Sequence, residues 1–133
     1  MTISTYLQQK LLEHTYKNIA YTPPTTVYVA LYTSNPGVDD SGTEVSGGAY
    51  ARQTVTFGTF AQDGSNRGYL PSTDDPLEFP EATADWGTVT HVAMKDALTG
   101  GNLLHFGAIA DSVEIGTYDQ FTFNAGELKT YLE

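Results

Sequence analysis

Thr26-Val27-Tyr28-Val29-Ala30-Leu31-Tyr32-Thr33 decides how the rest of the chain reads. It is a run of β-branched and aromatic residues without Gly, Pro or charge, and such a run between turn signals predicts a buried strand. Pro23-Pro24 stops any helix before it and feeds extended chain into it. Ser34-Asn35-Pro36-Gly37 turns the chain after it, because Asn, Pro and Gly each favour turn geometry. The segment after that turn, residues 38–48, is polar and Gly-rich and reads as a long exposed loop.

The same strand-and-turn style continues outward. Tyr50 to Phe57 alternates Arg52, Thr54 and Thr56 against Gln53, Val55 and Phe57, which predicts a half-buried strand. Residues 61–77 carry Asp63-Gly64-Ser65-Asn66 and Ser72-Thr73-Asp74-Asp75-Pro76, with little to bury, and read as an exposed excursion. Thr88 to Lys95 and Leu103 to Ile109 flank the turn signal Leu98-Thr99-Gly100-Gly101-Asn102, so they are expected to pair as a hairpin. Val113 to Ile115, Gln120 to Phe123 and Leu128 to Leu132 read as further short strands.

One segment is helical, within residues 1–18. Ser4 or Thr5 can cap it, and Tyr6 to Tyr16 contains no Gly or Pro. Leu7, Leu11 and Thr15 form a stripe with Leu12 and Tyr16 beside it, while Lys10, Glu13 and Lys17 face elsewhere. A helix this short needs tertiary packing, so the stripe is expected to dock on the sheet. The fold class is therefore mainly β: a compact antiparallel β-sandwich or small barrel of about seven or eight strands with one N-terminal α-helix. No linker or repeat divides it, so residues 1–133 are expected to form one domain, with residues 19–133 as its β body.

Charge and composition exclude several classes. Sixteen acidic residues against six basic give a net charge of -10, and the isoelectric point is near 4.4. A nucleic-acid surface needs clustered Lys and Arg to displace counterions, and an anionic membrane surface asks for the same. Neither partner is expected. The absence of cysteine excludes disulfides, thiolate metal sites and thiol nucleophiles. Met1 to Leu12 lacks the basic and apolar regions of a signal peptide, and the longest apolar run is far too short to cross a bilayer.

The residue types that could carry chemistry form no recognisable constellation. His91 and His105 sit at odd positions on the two strands of the predicted hairpin and could share a face, but two imidazoles lack the further ligands of a zinc site. His14 has no patterned partner. Asp39-Asp40-Ser41-Gly42-Thr43-Glu44 lacks the alternating ligands and distant bidentate Glu of an EF-hand, and Asp63-Gly64-Ser65-Asn66 and Asp74-Asp75 are equally incomplete. There is no nucleophile elbow, phosphate loop or dinucleotide fingerprint. No catalytic, metal or cofactor-binding residues are assigned, and the expectation is a protein that is not an enzyme. Tyr28, Tyr32, Phe57, Phe106, Phe121 and Phe123 sit where a core would claim them, and Trp86 reads as a corner plug rather than a sugar shelf. Arg52 stands out among so few cations. It is expected to pair with a loop carboxylate such as Glu44 and to pin the long loop to the sheet.

The chain also resembles a family of small virion proteins of tailed bacteriophages. The opening helix and residues 20–36 carry the resemblance, together with Gly42-Thr43-Glu44-Val45, Gly48 to Gln53, Phe79 to Val92, Thr99 to Leu104 and Ala125-Gly126-Glu127-Leu128. The ordered succession of these blocks runs nearly end to end. Gln62 to Leu77 looks longer than is usual for the family, and Met94-Lys95 replaces a bulkier apolar pair. Such proteins are labelled tail fibre proteins, while similar small β proteins serve as capsid decoration, or cement. The resemblance brings no active group. With no shaft repeat or heptad, it implies a decoration protein on the outer head surface, synthesised in the host cytoplasm. Its expected partners are the major capsid protein and neighbouring copies of itself, with homo-oligomerisation possible. The alternative it implies is a tail fibre or tail-tip protein contributing to host-surface binding.

Overall fold

The computed structural model describes residues 1–132. In chain order the elements are β1 (Thr2–Ile3), α1 (Thr5–Lys17), β2 (Val27–Tyr32), β3 (Gln53–Val55), β4 (Ala61–Gln62), β5 (Gly68–Pro71), β6 (Leu77–Glu78), β7 (Gly87–Lys95), β8 (Leu103–Ile115), β9 (Thr122–Phe123) and β10 (Lys129–Tyr131). β2, β7 and β8 form the heart of a five-stranded sheet in the order β1-β8-β7-β2-β3. A three-stranded sheet, β10-β5-β4, and a two-stranded one, β6-β9, complete the strands. Every pairing is antiparallel. The fold is thus mainly β with one N-terminal helix, and its sheets stay open rather than closing into a barrel. The ten strands exceed the expected number because β1, β4, β5 and β6 were not expected: β1, β4 and β6 are two residues long, too short to leave a period in sequence, and β5 lies in the segment read as an excursion.

β2 is the buried strand its composition requires: Val29, Ala30 and Leu31 are fully shielded, since the strand has neighbours on both edges. Its alternation separates two apolar clusters. Val29 and Leu31 join Val92, Met94 and Leu104 in the larger core, which extends to Leu77, Phe79, Phe123 and Leu128 of the smaller sheets and their connections. Ala30 and Tyr32 join Ala93, Leu103 and Phe106 on the opposite face. Among the described residues, no buried side-chain nitrogen or oxygen lacks a hydrogen-bond partner, as a native interior requires.

The helix is capped by Ser4, whose Oγ accepts from the Leu7 N–H at 3.1 Å and donates to the Leu103 carbonyl at 2.5 Å. Asn18, at φ 54°, ends it in the left-handed conformation, as helix C-caps commonly do. Leu7 is buried and Leu11 packs against the core. Leu12 and Tyr16 do not dock: they are 58% and 80% exposed.

Three sequence boundaries need correction. Residues 61–77 are not an exposed loop throughout: β4 and β5 pair within them, β10 adds to β5, and Ser72 and Leu77 are buried. The polar tip around Asp63-Gly64-Ser65-Asn66 hid this hairpin from a reading by composition. Residues 38–48 are a loop, yet Val45 is buried in the core and Glu44 bridges to Tyr32. Val113 to Ile115 is no separate strand but the end of β8. Between the pairs Val89↔Val113 and His91↔Ala108, Thr90 alone on β7 faces residues 109–112 of β8. That large bulge breaks the apolar alternation and made one long strand read as two. No helix among the described residues is long and apolar enough to cross a membrane.

Candidate functional site

The most ordered polar constellation anchors residues 38–48. Arg52, on the approach to β3, donates from Nε to Glu44 Oε2 at 2.8 Å and from Nη2 to Glu44 Oε1 at 2.7 Å. Its Nη1 donates to the Ala97 and Gly100 carbonyls at 2.7 and 2.8 Å, which ties the β7–β8 turn into the same hub. The Tyr50 hydroxyl donates to Glu44 Oε2 at 2.7 Å and accepts from the Leu31 N–H at 3.0 Å. Burial disfavours the Glu44 carboxylate, but hydrogen bonds from Arg52 and Tyr50 outweigh it and hold the group below its ordinary value. The pairing of Arg52 with Glu44 expected from the scarcity of cations is present, in the bidentate geometry that a guanidinium favours.

A second clamp was not foreseen. Lys95 is 3% exposed at the end of β7, and its Nζ is paired with Asp40 and donates to the Tyr32 hydroxyl at 3.2 Å. Tyr32 in turn donates to Asp40 Oδ1 at 2.7 Å. Burial and the adjacent carboxylates push the Tyr32 and Tyr50 hydroxyls far above their ordinary range, so both remain neutral donors. The signal available in sequence was Met94-Lys95, where a cation follows an apolar strand and two acids, Asp39-Asp40, lie in the facing loop.

The histidines come apart. β2–β7 register puts His91 beside Tyr32, on the face of the smaller cluster, whereas His105 pairs with Met94 of the main core. Counting odd positions failed because Lys95 pairs with Leu103 and Met94 with His105, leaving Leu104 as an extra residue that resets the alternation. His105 Nε2 lies 2.6 Å from the Tyr131 carbonyl. A carbonyl only accepts, so Nε2 carries the proton. Burial holds this imidazole below its ordinary value, against the opposing pull of that hydrogen bond. His91 meets Thr90, and His14 donates to the Ile19 carbonyl at 3.0 Å.

Four of the loop acids, Asp40, Glu44, Asp63 and Asp74, are engaged with protein groups. Asp63 binds Arg67 and the Ser65 N–H, and Asp74 accepts from the Thr56 N–H. Among the described residues no three His, Asp or Glu side chains gather as metal ligands. Of the aromatics assigned to the core, Tyr32, Phe106 and Phe123 are buried, Phe57 and Phe121 pack against it, and Tyr28 is half-buried. Trp86 is buried as the corner plug, edge-on to Tyr50, and donates to the Gly48 carbonyl at 2.8 Å.

The surface carries a feature that sequence periodicity did not reveal. One open groove of about 640 Å³ is lined by Phe60, Leu70, Leu132 and Thr130 among others. A second, of about 430 Å³, runs beside the helix and is lined by Leu11, Leu12, Tyr16 and again Leu132. The shared Leu132 joins them into one apolar band. Phe60 and Leu132 are 67% and 71% exposed. Among the described residues, no Asp or Glu lines either groove.

These features describe a β body in which Arg52 and Lys95 serve internal clamps and half of the large exposed apolar side chains line two adjoining grooves. A search of curated proteins finds no match. The family described as Podophage GP4 fiber I protein gp80 matches residues 2–131, almost the whole chain. In keeping with the resemblance carried by its sequence blocks, the protein belongs to this family of bacteriophage virion structural proteins.

Proposed function

We propose that the protein is a non-enzymatic structural subunit of a podophage tail fibre, contributing a preformed β body to contacts with other virion proteins. The observation that carries this reading is the match to a fibre family across residues 2–131. The clamps support a passive role: Arg52 and Lys95 fix residues 38–48 through buried ion pairs, which favour a defined geometry. The net charge of -10 weighs against contact with packaged DNA.

Capsid decoration is the second reading. It is favoured by the short, densely cross-connected β body without heptads or repeats, since such a module can act at many identical lattice points. The major capsid protein would then be its partner on the outer head surface. Quantitative mass spectrometry of purified particles, and of heads and tails separated from them, distinguishes the two. A few copies per particle that travel with the tails are expected for the fibre reading. A copy number near that of the major capsid protein, retained on isolated heads, would overturn it in favour of decoration.

A further inference from the structure

We infer that residues 43–45 are a guard strand: the two clamps hold them over the open edge of β2, where they block strand addition by another copy of this chain. β2 pairs with β7 along one edge, and β3 covers the other at Val27, Tyr28 and Val29. Beyond that point the loop takes over the edge. The Val45 N–H donates to the Leu31 carbonyl and the Thr33 N–H to the Thr43 carbonyl, both at 2.9 Å. Glu44 lies opposite Tyr32 in the same antiparallel sense, and the Tyr50 hydroxyl accepts from the Leu31 N–H at 3.0 Å.

The strand beneath the guard explains why it is needed. Thr26 to Thr33 is β-branched, aromatic and uncharged, without Gly or Pro, and segments of this kind pair with their own copies when an edge is left open. No side chain on it repels an incoming strand, and its register against β7 runs unbroken from Tyr28 to Tyr32. The far margin of the same sheet is managed differently. β1 pairs with β8 at His105 and Phe106, and the exposed stretch beyond carries Asp111, Glu114 and the bulge opposite Thr90. Charge and a bulge both discourage strand addition. β2 has neither device, so a segment from elsewhere in the chain must cover it.

A three-residue strand makes few hydrogen bonds and opens readily unless it is tied down. Asp40, just before the guard, is paired with Lys95, and Glu44 at its centre is paired with Arg52. Two of the six cations in the chain are committed to this task. Buried ion pairs add little stability over an apolar replacement, so their use here fits a demand on position. Gly42 presses the loop against the turn that leaves β2: a Cβ there would lie 2.6 Å from the Asn35 carbonyl oxygen.

The test unlocks and relocks the guard in one protein. Asp40→Asn, Glu44→Gln and Lys95→Met remove the ion pairing of both clamps. Thr33→Cys and Thr43→Cys are added; the two positions are directly opposite, at a separation a disulfide spans, and the chain has no other cysteine. In the reduced form the amides of residues 33 and 45 should lose hydrogen-exchange protection while β7 and β8 keep theirs. At a temperature where circular dichroism remains native, sedimentation velocity should show concentration-dependent assembly, with the infrared band of intermolecular strands. The oxidised form should keep the wild-type state. Leu7→Ala, a core truncation away from this edge, should lower stability and also keep the wild-type state. Retained protection in the reduced form would overturn the inference, since the clamps would not be what holds the guard. So would an opened guard without assembly, assembly that persists after oxidation, or equal assembly of Leu7→Ala. Where the reduced variant is not native, the cysteine pair alone is warmed to just below its transition. Assembly of the reduced form and not the oxidised one then supports the inference, and equal behaviour overturns it. None of these outcomes depends on head or tail location.

Discussion

Arg52 shows how far a single residue could be read from sequence. With only six cations in the chain, a strand Arg facing an acidic loop had few other uses, and the pair with Glu44 is present in bidentate form. Replacing it by Met leaves the half-buried Glu44 carboxylate and the Ala97 and Gly100 carbonyls without their donors. Arg52→Met should lower stability by about 3 kcal/mol, seen as a fall of roughly 10 °C in the melting temperature. Trp86→Phe retains the corner plug but removes the hydrogen bond to the Gly48 carbonyl, and should cost about 1–2 kcal/mol by denaturant titration. His105 gives stability a pH dependence. Its folded value lies below the ordinary 6.5, so above pH 6.5 folded and unfolded forms are both neutral. As pH falls below 6.5 the unfolded chain takes up a proton that the folded chain resists, and stability is lost. Glu44 has the same sign in a lower window, its contribution lost as pH falls below 4.5 through its depressed folded value. Melting temperature against pH should therefore decline in two stages, with the upper stage weakened in His105→Gln and the lower stage in Glu44→Gln. The face of His105 was not legible, because one extra residue at Leu104 inverts a parity count and leaves no compositional mark.

Elements with a long period were the legible ones. α1, β2 and β7 follow from apolar spacing and turn residues, and their bounds differ little from those read in sequence. The failures lie where tertiary pairing overrides local pattern. β1 is two residues, Thr2 and Ile3, recruited to the edge of β8 opposite Phe106 and His105. β4 and β5 gain their place from β10, far away in the chain. The N-terminal segment is therefore part of the fold and not only an attachment device. Deleting residues 1–17 removes the β1 edge together with Ile3 and Leu7 from the core, and should abolish the cooperative thermal transition followed by circular dichroism. Ser4→Ala is the milder test: it removes both the cap on the Leu7 N–H and the bond to the Leu103 carbonyl, and should cost about 1–2 kcal/mol.

For the molecule as a whole, composition weighs against an electrostatic route to nucleic acid, since the chain is acidic and its six cations are dispersed along it. It could not show the apolar band. Phe60, Leu70 and Leu132 belong to three segments that looked unremarkable one at a time, and the hairpin and the last strand bring them together beside the helix. The clamps have one more consequence, for proteolysis. Trypsin requires a Lys or Arg held in extended, accessible chain, and here Arg52 and Lys95 are withdrawn into the body. Native protein should be cut slowly, if at all, after these two residues, so that early digestion leaves fragments spanning residues 18–67 and 68–129 uncut inside. Cleavage after Arg52 or Lys95 then reports opening of the loop anchors rather than fraying at the surface. Limited digestion read by mass spectrometry thus turns the two inner cations into a clock for the unfolding of the particle-bound protein.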